Sequence, residues 1–236
     1  MNKRHIFSLL AIVLLMSSCF NFKERIFLKK DGSGTYTFTI DMSALKPMME
    51  AFENMADSTQ TDDEKKEGPK DMTKKFDDDM QKDKELLESV DGITNVEAIS
   101  DEETFNFGLK FDFADVKALN NALNAMNKKE NENYQEKEFF KYSKKSFERV
   151  SLFLDKSELK QEMSEESDEE MTDQDFEQMS QMFGDMTYTT EYVFEQPVKN
   201  ISNQNAMMSP DGKKVTIETK ILKEEEGESG PTKFSF

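Results

Sequence analysis

The stretch Thr104-Phe105-Asn106-Phe107-Gly108-Leu109-Lys110-Phe111-Asp112-Phe113 decides how the rest of the chain is read. Phe105, Phe107, Leu109, Phe111 and Phe113 alternate with polar or small residues. A period of two places all five on one face of a strand, and a face that apolar must be covered. The question becomes what pairs with this strand and what covers it.

Upstream, Phe22–Lys30 and Thr35–Met42 are two more strand candidates. Between them Asp31-Gly32-Ser33-Gly34 supplies residues that accept positive φ, so a hairpin is expected. In its second arm Tyr36, Phe38 and Ile40 alternate with threonines. Helical spacing follows at Leu45, Met48, Met49, Phe52 and Met55, with Pro47 in the first turn. A second helix is expected over Met72, Phe76, Met80, Leu87 and Val90, ended by Asp91-Gly92, before a strand at Ile93–Ile99. Downstream, Val116, Leu119, Leu123 and Met126 predict a short amphipathic helix. A second hairpin spans Glu138–Leu154 and turns near Lys144 and Lys145. Helices are expected at Asp155–Met163 and after Thr172, where Phe176, Met179, Met182 and Phe183 precede Gly184. Strands follow at Thr187–Glu195, Lys214–Leu222 and Thr232–Phe236.

One joint recurs. Ile40-Asp41-Met42-Ser43, Phe111-Asp112-Phe113-Ala114-Asp115 and Leu154-Asp155-Lys156-Ser157 each close a strand and enter a helix, with an acid or serine placed to cap it. Strand pairs that repeatedly lead into helices predict an α+β domain: an antiparallel sheet built from hairpins, with helices over one face. Polar acidic segments near 57–71 and 164–171 read as mobile insertions.

The amino end is organised differently. Lys3, Arg4 and His5 precede an apolar run, Ile6–Met16, too short to cross about 30 Å of hydrocarbon. Ser17, Ser18 and Cys19 follow. Basic, apolar and small zones in that order form a secretory signal over residues 1–18, and a cysteine directly after the small residues resembles a bacterial lipobox. Such signals are cut before the cysteine, which then receives acyl chains such as palmitate. Several acyl chains hold a domain stably where one does not. The expected mature protein is one domain, 19–236, anchored by lipid on Cys19. Its place is the cell envelope, on the periplasm-facing leaflet of the outer membrane.

Composition excludes whole classes of chemistry. Residues 1–18 contain the single histidine, two basic residues and no acid, so maturation takes the net charge from −18 to −20. Without histidine, tryptophan or a second cysteine, catalysis by Ser-His-Asp or Cys-His is absent, and so are zinc, haem and iron–sulfur sites built on those ligands. No cofactor and no metal is expected. The acidity argues against nucleic acid, which needs a basic patch, and against adsorption to anionic lipid by charge. A non-enzymatic role follows as the first expectation.

Three features are candidates for that role. Methionines cluster at Met48, Met49 and Met55 and at Met179, Met182 and Met186. Soft sulfur would suit Cu(I), flexible core filling is the ordinary use, and an adaptable apolar groove lies between. The pairs Phe139-Phe140 and Met207-Met208 cannot both be buried by simple alternation and mark a candidate exposed apolar lip. The candidate binding surface is thus Met48, Met49, Phe139, Phe140, Met179, Met182, Met207 and Met208. Asp57-Ser58-Thr59 resembles a triplet at which some Bacteroidetes glycosylate exported proteins.

Ser17-Ser18-Cys19, the opening Leu28-Lys29-Lys30-Asp31-Gly32-Ser33-Gly34-Thr35 and the closing Tyr192-Val193-Phe194-Glu195-Gln196-Pro197-Val198 with Ser209-Pro210-Asp211-Gly212 resemble small Bacteroidetes lipoproteins. The opening and closing pieces also resemble, distantly, the LppM-type lipoprotein domain. That resemblance implies an α+β lipoprotein module linked to lipid or glycolipid binding, and it carries no binding residue over. The expected partners are a membrane, through Cys19, and a lipid or protein ligand. Two other roles stay open: an assembly lipoprotein with an acidic docking face, and a carboxylate hydrolase acting on an envelope polymer.

Overall fold

A computed structural model describes residues 21–43, 46, 69–101, 103–130, 134–151, 187–220 and 231–236. Its strands are β1 (Asn21–Leu28), β2 (Gly34–Asp41), β3 (Ile93–Asp101), β4 (Asn106–Phe113), β5 (Phe140–Ser143), β6 (Ser146–Arg149), β7 (Thr187–Phe194), β8 (Asn200–Ile201), β9 (Met207–Met208), β10 (Lys214–Lys220) and β11 (Thr232–Ser235). The described helices are α1 (Pro69–Glu88) and α2 (Val116–Glu130).

The Phe-rich stretch forms β4 only from Asn106 onward; Phe105, expected on the same face, lies in the preceding turn at φ +53°, outside the strand's alternation. Phe107, Leu109, Phe111 and Phe113 are buried. β4 is the second strand of a seven-stranded sheet in the order β3-β4-β2-β1-β7-β10-β9. The expected first hairpin is present, with Arg25 opposite Thr37 and Ile26 opposite Tyr36. At its turn Gly32 takes φ +90° and Asp31 Oδ1 accepts from Ser33 N–H. The α+β class holds, but the sheet is mixed. β1 runs parallel to β7 in the register Asn21–Thr187 through Leu28–Phe194. The remaining ladders are antiparallel, so this single pairing closes the chain's beginning onto its last third.

A second sheet of four short strands, β5-β6-β11-β8, was not anticipated. It brings the terminal strand against the second hairpin, Phe234 opposite Phe147. The inner face of the large sheet is covered by two structures. Over β3 and β4 lie α1 and α2, with Leu119, Ala122 and Leu123 fully buried. Over β7 lies the small sheet, whose Phe147 and Phe234 pack on Tyr192 and Phe194 at centroid distances of 4.6–6.1 Å. No described helix is long and apolar enough to cross a membrane.

In the second copy the joint works as a cap: Asp115 Oδ1 accepts from Ala118 N–H at 2.8 Å at the start of α2. In the first, Asp41 Oδ1 accepts from Ser43 N–H at 2.9 Å, and the helix expected after it lies outside the described residues. The third copy lies outside the described residues. So do the signal segment 1–18, the helices expected around 45–55, 155–163 and 172–183, and the acidic segment 164–171. Of the segment placed near 57–71, residues 57–68 lie outside, whereas Pro69–Asp71 open α1. Proline suits that first turn, where its missing N–H has no helical acceptor.

Candidate functional site

The residues of the candidate surface do not share one environment. Cys19, Met48, Met49, Met179, Met182 and Asp57-Ser58-Thr59 lie outside the described residues. Met207 and Met208, on the two-residue edge strand β9, are 62% and 50% exposed. Phe139 and Phe140 are not an exposed lip: both are buried to 1%. Alternation misleads here because only Phe140 belongs to the strand. Asn120 of α2 accepts from both Phe139 N–H and Phe140 N–H through Oδ1 and donates from Nδ2 to Phe140 O. That clamp holds the chain against α2, and both rings join the buried core, Phe140 stacking on Phe147 at 5.3 Å.

Beneath β1 lies a buried polar cluster. Glu24 shares the inward parity of Ile26 and Leu28 and is fully buried. Arg149, from β6, pairs with Glu24 Oε2 through Nη2 and donates from Nε to Tyr192 Oη at 2.7 Å and from Nη1 to Ser151 O at 3.2 Å. Tyr188 Oη also donates to Glu24 Oε2, at 3.1 Å. Glu24 Oε1 and Tyr36 Oη, both buried, have no hydrogen-bond partner. Burial, the largest influence on Arg149, works against its charge. Glu24 and the surrounding phenols outweigh it, so the guanidinium holds its proton more tightly than usual. This cluster joins the two sheets, and its burial makes it a structural device.

The phenols report on it. Burial, aided by Glu24, raises Tyr36 and Tyr188 well above the usual tyrosine value, and burial pushes Tyr192 up to about 12. Proton affinity is therefore higher in the folded than in the unfolded chain. The contribution of these phenols to stability is constant below the unfolded value of about 10 and is lost as pH rises beyond it toward the folded values. Three of the five tyrosines should then withhold their phenolate absorbance until the protein unfolds in alkali. Smooth titration of all five near pH ~10 in folded protein would contradict the placement.

The outer face of the large sheet differs from the inner one. Its alternation places Thr35, Thr37 and Thr39 of β2 as a floor. The flanking strands raise longer walls in register: Arg25–Thr37–Lys110 in one row, Lys23–Thr39–Gly108 in the next, Phe27–Thr35–Asp112 in the third. A Cβ on Gly108 would meet Phe38 O at 2.0 Å, so that row stays open on the β4 side. The result is an open trough of about 480 Å³. Lys23, Arg25 and Lys110 are 52%, 57% and 42% exposed. Glu191, on the β7 side, pairs with Lys23 at 3.3 Å and Lys214 at 2.9 Å, and those lysines hold its carboxyl below the usual range against the opposing effect of burial. Among the described residues no group of acids, histidines or cysteines is arranged to hold a metal. In the sequence the trough is visible only as the polar half of the alternation in β2, Thr35, Thr37 and Thr39.

Fold and surface together define an α+β domain with one face buried under helices and a small sheet, and an open face opposite whose trough is lined by three cations. No protein-family model matches the chain. No curated protein matches it. Among solved structures it is similar to the NMR structure of the folded domain of Mycobacterium tuberculosis LppM, with 8% identity over 93% of this chain and 91% of that one and a TM-score of 0.39.

Proposed function

We propose that the chain is a lipid-anchored protein of the bacterial cell envelope, of the Bacteroidetes lipoprotein type, which acts without catalysis by docking a partner protein. The observation that favours a partner over an internal apolar ligand is the contrast between interior and edge. The described interior is built on stacked rings, including Phe140 on Phe147 and Tyr36 on Phe111 at 5.1 Å, while Met207 and Met208 stand exposed on an edge strand. Flexible thioethers at an exposed edge adapt to a partner surface, and a short edge strand leaves backbone groups to pair. The anchor reading is supported by the tether. β1 begins at Asn21, two residues after Cys19, and is an interior strand of the sheet. A lipid on Cys19 would hold the domain against the periplasm-facing leaflet, which on this reading belongs to the outer membrane.

Two measurements test this. Cys19→Ser should abolish incorporation of labelled palmitate and stop signal cleavage; persistent label would overturn the anchor. A photo-crosslinking amino acid at position 208, introduced in the native host, should give one discrete adduct with a second protein, and the same probe at exposed Asp91 should not. A smear common to both positions would sink the docking edge.

A further inference from the structure

We propose that the trough on the outer sheet face binds the phosphorylated headgroup of an anionic phospholipid in the same leaflet that holds the anchor, and so fixes how the domain sits on its membrane. This rests on the anchored reading above but uses a different surface from the β9 edge.

Three observations carry it. The first is local charge. Lys23, Arg25, Lys110 and Lys214 surround or adjoin the trough and share two carboxylates, Glu191 and Glu97. Arg25 lies 3.9 Å from Glu191, beyond hydrogen-bond reach, which leaves its planar donors available to a ligand. At the far end Asp112 is engaged by Thr35 and Asn95, at 2.6 and 2.9 Å, and so marks the acidic limit of the site. The second is shape. Arg25 and Lys110 stand two strands apart, roughly 10 Å between backbones, with Thr37 between them. Cations that bracket a hydroxyl floor suit a compact phosphate. An extended acidic peptide would instead need positive charge spaced along its length. The third is position. Lys23 is four residues beyond Cys19, at most about 14 Å of extended chain. An anchored domain therefore carries this end of the trough into the headgroup layer.

The rest of the molecule makes the face selective. At −18 for the full chain, and −20 once Lys3 and Arg4 leave with residues 1–18, the protein as a whole is repelled by an anionic surface, so an approach through this face is the one such a surface favours.

The test uses the full chain purified from membranes in a neutral detergent. Its intact mass reports acylation at Cys19 independently of any headgroup. Native mass spectrometry then measures retention of phosphatidylglycerol, phosphatidylcholine, inorganic phosphate and a polyglutamate peptide. Phosphatidylglycerol should be held at least tenfold more strongly than phosphatidylcholine, and the preference should shrink in high salt. The K23Q/R25Q/K110Q variant should lose the preference while melting normally, and Lys23→Gln alone should weaken it severalfold. Equal retention of the two lipids would overturn the inference, whether or not the mass shows acylation. Displacement by equimolar inorganic phosphate would overturn the lipid source, and stronger retention of polyglutamate would reassign the face to an acidic protein.

Discussion

Arg149→Met should cost roughly 3–5 kcal/mol of folding free energy, the usual consequence of removing one member of a buried ion pair. Methionine keeps most of the length and apolar bulk of the arginine stem, so cavity formation contributes little. What is lost is the cation. Glu24, 0% exposed, would keep only Tyr188 as a donor, and its Oε1 already lacks a partner. Tyr192 Oη and Ser151 O would lose their donors too, and the guanidinium 4.8 Å above the Phe140 ring would go. Substituting Glu24→Leu together with Arg149→Met removes both charges and with them the desolvation each carries. The double variant should lie within about 2 kcal/mol of the parent, far from the sum of the singles. Urea midpoints of the three variants at neutral pH supply the comparison, and added salt should change the coupling little because the pair is shielded from solvent. A cost below about 1 kcal/mol for Arg149→Met would show that Glu24 is not held as a buried partner.

The pair also shows what the sequence could and could not disclose. In Phe22-Lys23-Glu24-Arg25-Ile26-Phe27-Leu28 the parity that buries Ile26 and Leu28 also buries Glu24, so an inward charge was readable. Its partner was not. Arg149 is 125 residues away on a four-residue strand, and nothing local couples the two. The same holds for the parallel β1–β7 ladder, whose first rung joins Asn21 and Thr187, 166 residues apart. Alternation fixes which face of a strand is apolar and is silent on which strand lies beside it. Local signals succeeded: the Phe-rich β4, the Asp31-Gly32 turn, the Asp115 cap. Phe139-Phe140 failed because burial there comes from a side-chain clamp by Asn120, which has no periodic signature. The open face failed for another reason. A net charge summed over the whole chain conceals three exposed cations gathered on one side of one sheet.

Phe147→Ala is expected to be the most damaging truncation in the described core, at about 3–5 kcal/mol. Phe147 is fully buried and touches rings in three directions: Phe140 at 5.3 Å and Phe234 at 6.0 Å within the small sheet, and Tyr192 and Phe194 at 6.1 and 6.0 Å edge-on in β7. The small sheet is only four short strands, and two of them, β8 and β11, share just two register pairs. It cannot collapse around a missing ring without surrendering its grip on β7. Phe76→Ala is the control. Its ring is half-buried and, among the described residues, stacks on one other ring, Phe107 at 5.5 Å, over the other end of the sheet, so its loss should cost less than half as much. Hydrogen exchange separates a local from a global effect. Amides of β6 and β11 should lose protection first in Phe147→Ala, while β2 and β4, held by a continuous eight-rung ladder, keep theirs. Uniform loss in both sheets would mean that the aromatic stack is needed for the large sheet itself, and the small sheet would then be part of one cooperative core instead of a cover docked upon it.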